Sequence, residues 1–206
     1  MALLNSLEKK FRQYGLIDIS ELSVDIEIDL KYSTTDNFTG KDLYGSLHRA
    51  YLVPEIAYMV TEAQRRLRHR YPHRSLLIYD AARPISIQRH MFELVKGTPQ
   101  QKYVADPDHS GGGYHNYGVA VDLTISDHGV PLDMGCGFDC FDEISNVGNE
   151  LQYIEQGTMS REAYENRMML KHLMEGVGFE QNPDEWWHFQ KYSKEELVRR
   201  FRLLDF

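Results

Sequence analysis

The 206-residue chain is short of several things, and each shortage narrows what it does. It has only two cysteines, Cys136 and Cys140, and two thiols build neither a disulfide framework nor a four-cysteine zinc site. Both are expected to be free and buried, which favours a reducing compartment. No apolar run approaches the roughly 20 residues needed to span a bilayer, so no membrane span is expected. Positive charge is scarce: 23 Lys and Arg face 31 Asp and Glu, a net charge of −8, with no basic tract. Nucleic acid is therefore excluded as a general partner. The start, MALLNSLEKK, has a short apolar patch followed at once by charge, so it does not read as a signal peptide. A cytoplasmic or periplasmic location is expected. Repeats, linkers and low-complexity tracts are absent. The H-E-x-x-H zinc-peptidase pattern is absent too; His172 and Glu175 form a helical pair without a second histidine.

What is present suits one domain over residues 1–206, at a length that can bury one substantial core. Asn5 and Glu8 are spaced as a capping pair for a helix that Gly15 stops. From Val24 to Tyr32 apolar residues alternate with charged ones, predicting a half-buried strand. Pro54 opens a helix with an apolar stripe from Ile56 to Tyr71 and a solvated face carrying Arg65, Arg66, Arg68 and Arg70. Ser75–Asp80 reads as a short strand, Pro84 opens another helix, and residues 98–113 form a long polar loop of the kind that often carries function. Ser160 caps a helix ending at Gly176, and Ser193 with Glu196 forms the capping box of a last one. Helices mixed with short strands, without βαβ spacing, predict an α+β fold with a mainly antiparallel sheet.

The chemistry concentrates in two stretches. In Ser110–Ile125, SGGGYHNYGVAVDLTI, the alternation places Asp122 between Ala120 and Thr124 on one face, where a buried core does not explain a carboxylate. His115 lies an odd number of residues away, so a continuous strand would send it to the opposite face; Gly118 lets the chain turn and bring the imidazole back. The second stretch, Glu185-Trp186-Trp187-His188, puts a carboxylate three residues before a histidine. Hydrolytic zinc sites take three protein ligands and keep a fourth position for water. His115, Asp122 and His188 would make such a set, leaving Glu185 as a base beside it; His109 is a rival ligand. Trp186, Trp187 and Phe189 read as core. Arg83, where the Ser75–Asp80 strand gives way to a helix, either supports a developing oxyanion or pairs with Asp80 or another carboxylate.

Together these residues resemble the VanX-type D-alanyl-D-alanine dipeptidases, zinc enzymes of the wider D,D-peptidase and Hedgehog-like fold. The likeness runs from Asp29-Leu30-Lys31-Tyr32 through Thr35–Gly40, Ala82-Arg83-Pro84, His115 with Gly118 and Asp122-Leu123-Thr124, Met134-Gly135 with Phe138-Asp139, to Glu185–His188. It implies one Zn2+ held by His115, Asp122 and His188, Glu185 as catalytic base, and Arg83 stabilising the transition state. It further implies that Asp139 holds the free amino group of a dipeptide and that Tyr32 lies near it. One position departs from the family: the residue before the ligand histidine is commonly a serine that helps bind substrate, and here it is Tyr114, after three glycines. The expected activity is hydrolysis of D-alanyl-D-alanine to two D-alanines. The alternatives are a D,D-carboxypeptidase or other cell-wall peptidase of the same fold, or a zinc-containing binding module, which would need neither Glu185 nor Arg83. Oligomeric state is not legible in the residues.

Overall fold

A computed structural model describes residues 4–109 and 111–206. Ser110, at the head of the glycine-rich stretch, and the first three residues of the amino terminus lie outside the described residues. The elements in chain order are α1 (Ser6–Gln13), β1 (Ile17–Asp18), β2 (Glu27–Ile28), β3 (Tyr51–Leu52), α2 (Pro54–Arg70), β4 (Arg74–Asp80), α3 (Ile85–Val95), β5 (Ala120–Asp127), β6 (Val130–Pro131), α4 (Glu150–Glu155), α5 (Arg161–Glu175), β7 (Glu180–Gln181), β8 (His188–Gln190) and α6 (Lys194–Arg200). The main sheet has the order β2-β4-β5-β8-β7, with β6 pairing the far end of β5. Among the described residues only β2 against β4 is parallel and the other ladders are antiparallel, so the α+β expectation holds.

Local chemistry sets the helix ends. Asn5 accepts from the Glu8 backbone N–H while Glu8 reaches back to the Asn5 N–H, and Ser193 with Glu196 repeats the device at α6. Helix α2 lies on β4 and against α5, burying Ile56, Ala57, Val60, Ala63 and Leu67. Strand β5 is central, with Val121, Leu123 and Ile125 wholly enclosed. Trp186, Trp187 and Phe189 are buried as expected, although Trp187 also reaches the wall of the site cavity.

The strand expected over Val24–Tyr32 shrinks to Glu27–Ile28. Val24 is 90% exposed, and Lys31–Ser33 winds into a 3-10 turn. The alternation is real, since Ile26, Leu30 and Tyr32 are buried. Its apolar positions serve core contacts along an irregular path rather than a long ladder, because pairing with the edge of β4 stops at Glu27 and Ile28, with one more bond from the Asp29 N–H to the Ile78 carbonyl at 2.9 Å. Helix α4, opening after Asn149, has no apolar stripe long enough to announce it.

Candidate active site

Three segments meet at the end of β4 and β5. Pairing of β5 with β8 sets Asp122 directly opposite His188, and pairing with β4 sets it opposite Asp80 beyond an irregularity in the ladder. His115 sits on a 3-10 turn, Tyr114–Tyr117, closed by Gly118 at φ 68°. A side chain at Gly118 would face strain from that backbone and would put its Cβ 2.8 Å from Leu16 Cδ2, so the turn needs glycine on both counts. The segment after β4 fastens this turn: Arg83 N–H donates to the His115 carbonyl at 2.9 Å, and Asn116 Nδ2 donates to the Arg83 carbonyl at 2.9 Å.

The result is a convergence of three donor atoms. His115 Nε2 lies 3.2 Å from Asp122 Oδ1 and 3.1 Å from His188 Nδ1, and His188 Nδ1 lies 2.9 Å from Asp122 Oδ1. Among the described residues these three alone cluster as a metal could require; His109 is exposed and not one of them. The arrangement fits zinc. A tetrahedral centre with bonds of about 2.0–2.1 Å separates its ligand atoms by about 3.3 Å. The tautomer also fits: His115 Nδ1 is 2.7 Å from the Ala81 carbonyl, which can only accept, so Nδ1 carries the proton and Nε2 offers its lone pair. Burial pushes the Asp122 carboxyl up, but the facing His115 and His188 rings hold it well below the usual range, in the anionic form a metal needs.

Glu185 lies beside the trio rather than in it, its Oε2 3.8 Å from His188 Nδ1 and fixed by Asn182 Nδ2 at 2.8 Å. Burial pushes its carboxyl up to about 7. Arg83 is buried and pairs with Asp80, as one of its two sequence readings expects. Its Nε and Nη2 donate to Asp80 Oδ2 at 2.9 and 2.5 Å, its Nη1 donates to Gln88 Oε1 at 2.8 Å, and it lines the same cavity as the histidines. Three of its five N–H donors are engaged there.

Asp139 lines the cavity beside Tyr32. Its backbone is left-handed at φ 58°, and its carboxylate accepts from Tyr32 Oη at 2.9 Å and the Phe38 N–H at 3.2 Å. Burial pushes the Asp139 carboxyl up to about 7 against those two hydrogen bonds. Tyr114 is half-buried, its ring 6.3 Å from that of His188. All eight residues expected at the site, from Tyr32 to His188, line one cavity of about 230 Å³. Sequence reasoning missed Gln88, Asn182 and Lys194. Gln88 and Lys194 sit in the first turns of helices, where a polar side chain normally faces solvent, and nothing in their spacing marks them.

Cys136 and Cys140, flanking Phe138-Asp139, are free and partly covered rather than fully buried. Burial and the neighbouring thiol push Cys136 up to about 12, so its reactive thiolate is suppressed.

The profile of the D-ala-D-ala dipeptidase family Peptidase_M15 matches residues 12–203. The chain belongs to that family. Its relatives include a D-alanyl-D-alanine dipeptidase of Escherichia coli (strain K12), 35% identical over 180 residues that cover 85% of this chain and 83% of the relative. Another, of Enterococcus faecalis (strain ATCC 700802 / V583), is 30% identical over 192 residues, covering 85% and 91%. Among solved structures, a VanY D,D-pentapeptidase in complex with Zn(II) aligns over 86% of this chain and 85% of that one, at 17% identity and a TM-score of 0.34. Membership of this peptidase family makes the chain a hydrolase and sets aside the reading as a binding module.

Proposed function

We propose that the chain, acting as one catalytic domain, hydrolyses D-alanyl-D-alanine to two D-alanines with a single zinc held by His115, Asp122 and His188. The observation that carries this is the meeting of three ligand atoms within 3.2 Å of one another, with Glu185 alongside, in a cavity sized for a dipeptide. At about 230 Å³ that cavity falls below the range of roughly 300–1,000 Å³ common to drug-sized ligands. Zinc bound there supplies Lewis acidity, polarising the scissile carbonyl and acidifying a water.

The chain's own residues do the rest. Glu185 takes the proton of the attacking water and returns it to the leaving amine. Arg83 offers its two spare N–H donors to the oxygen that becomes negative, and Asp80 with Gln88 fixes the plane of its guanidinium. Asp139 pairs with the substrate ammonium, and Tyr32 orients the carboxylate that does so. An acylated amine would leave Asp139 unpaired in the cavity, so a free dipeptide is preferred to a longer chain. Zinc-loaded protein should release D-alanine from D-alanyl-D-alanine, and stripping the metal with a chelator should abolish release until zinc is restored. Absence of turnover at full zinc occupancy would overturn the proposal.

Asp139 also gives a pH prediction. Its folded value of about 7 stands above the ordinary 3.8, so the folded protein holds a proton that the unfolded chain releases. That contribution to stability is full below about pH 4 and is lost as pH rises to about 7. Asp139→Asn removes the titration and keeps an acceptor for the Phe38 N–H. In urea titrations the variant should gain stability relative to the parent between pH 5 and pH 8, while its KM rises roughly 10–100-fold for lack of the ammonium partner. A stability difference that does not change with pH would refute the burial argument.

A further inference from the structure

The cavity holds a cation that the chemistry above does not use. Lys194, the first residue of α6, lines it together with Tyr114, His115 and His188. Its Nζ donates to the Gly112 carbonyl and stands 4.7 Å from the centre of the Tyr114 ring. No carboxylate among the described residues pairs with it, whereas Arg83 is neutralised by Asp80. In a chain of net charge −8, an unpaired ammonium drawn over an active site is not the product of surplus positive charge. Of its three N–H donors, the Gly112 carbonyl takes one. Lys194 as a whole is exposed, at the rim of the cavity, and the partial burial of its ammonium lowers it from its ordinary value, which an incoming anion would offset.

The two charged ends of the cavity sit on different walls. Asp139 is held by Tyr32 and Phe38, on the side where Arg83 lies over the Tyr32 ring. Lys194 is on the side of Tyr114, whose ring faces His188. Contacts run from Asp139 through Tyr32 and Arg83 to Asp122 of the donor trio, and from His188 of the trio through Tyr114 to Lys194. A dipeptide is a zwitterion with its scissile bond between its two charges, so a carboxylate wall, a hydrolytic centre and an ammonium wall match it in order. A second lysine, Lys102, also lines the cavity. It rides over Tyr103, which stacks on Phe141, which in turn packs on Phe38 beside Asp139. That places it on the ammonium-binding side, where a substrate carboxylate would meet Asp139 as well.

We propose that Lys194 selects the free carboxyl terminus of the substrate, pairing its ammonium with the carboxylate of the second D-alanine. This rests on the dipeptidase reading and adds the determinant for the end of the substrate that Asp139 does not hold. It gives Tyr114 a role as well: the ring carries the Lys194 ammonium at the wall of the cavity.

The test compares D-alanyl-D-alanine with its C-terminal amide, which keeps the ammonium and the scissile bond but loses the negative charge. The parent protein should favour the acid over the amide roughly 10–100-fold in kcat/KM. In Lys194→Met that preference should collapse to about one through KM, with kcat for the acid little changed. Lys194→Arg should keep most of the preference, and Lys102→Met should leave it as in the parent. If Lys194 only anchors the glycine loop, both substrates lose equally and the ratio stays, which overturns the proposal. Should Lys194→Met fail to fold, Lys194→Gln still donates to Gly112 without a charge and must show the same collapse. A parent protein that handles acid and amide alike overturns the proposal without any variant. A parent that cleaves neither, fully zinc-loaded, defeats the dipeptidase reading instead. Lys194 is then judged by calorimetric binding of the acid and the amide, and equal binding or none overturns the proposal.

Discussion

Glu185→Gln should bind zinc as the parent does and lose about 10²–10⁴-fold in kcat. The ligand atoms of His115, Asp122 and His188 lie on other side chains, and Glu185 Oε2 stands 3.8 Å from the nearest of them, so metal content measured by elemental analysis should not fall. Glutamine is nearly isosteric and its amide oxygen still accepts from Asn182 Nδ2, so the loop of residues 182–188 keeps its shape. What it loses is the power to accept a proton. KM for the dipeptide should change little, since Glu185 contacts neither charged end of the substrate in this scheme. Replacing any one ligand, as in His188→Ala, should instead lower zinc occupancy and activity together. A Glu185→Gln protein within tenfold of parental kcat would remove Glu185 from the base role, and one that loses zinc would show it to be a ligand.

The sequence carried this site unevenly, for physical reasons. His115 and Asp122 were legible because a local rule links them: strand alternation fixes the face of Asp122, and Gly118 at φ 68° closes the turn that folds His115 back to it. Helices α1, α5 and α6 were legible from capping side chains close to their ends. The Asp122–His188 pairing was not, because it is a register between strands separated by 66 residues, set by the sheet rather than by spacing. The over-long strand at Val24–Tyr32 failed for the reverse reason. Alternation reports which side chains are buried and says nothing of whether a neighbouring strand is there to bond. Gln88 is buried at the cavity and the exposed Lys194 reaches its rim only because α3 and α6 begin beside it, and that is a fact of tertiary placement.

The structural part of Arg83 and the chemical part proposed for it can be separated. Arg83→Met should cost about 3–5 kcal/mol of stability, because it leaves the fully enclosed Asp80 carboxylate with Tyr44 Oη as its remaining side-chain donor, at 2.7 Å. The same substitution should cost about 10²–10³ in kcat by removing the oxyanion donors. Asp80→Asn added to Arg83→Met removes the stranded charge while keeping an acceptor for Tyr44, so most of the stability lost in urea titrations should return. The rate should not return, since the donors are still missing. Arg83→Lys tests the geometry of the donors: it keeps the charge beside Asp80, but one ammonium cannot reach Asp80, Gln88 and the substrate oxygen in the planar arrangement of a guanidinium. It should therefore be stable and slow. If the double variant regained both stability and rate, Arg83 would be a structural partner of Asp80 alone, and the oxyanion would have to be met by other donors in the cavity.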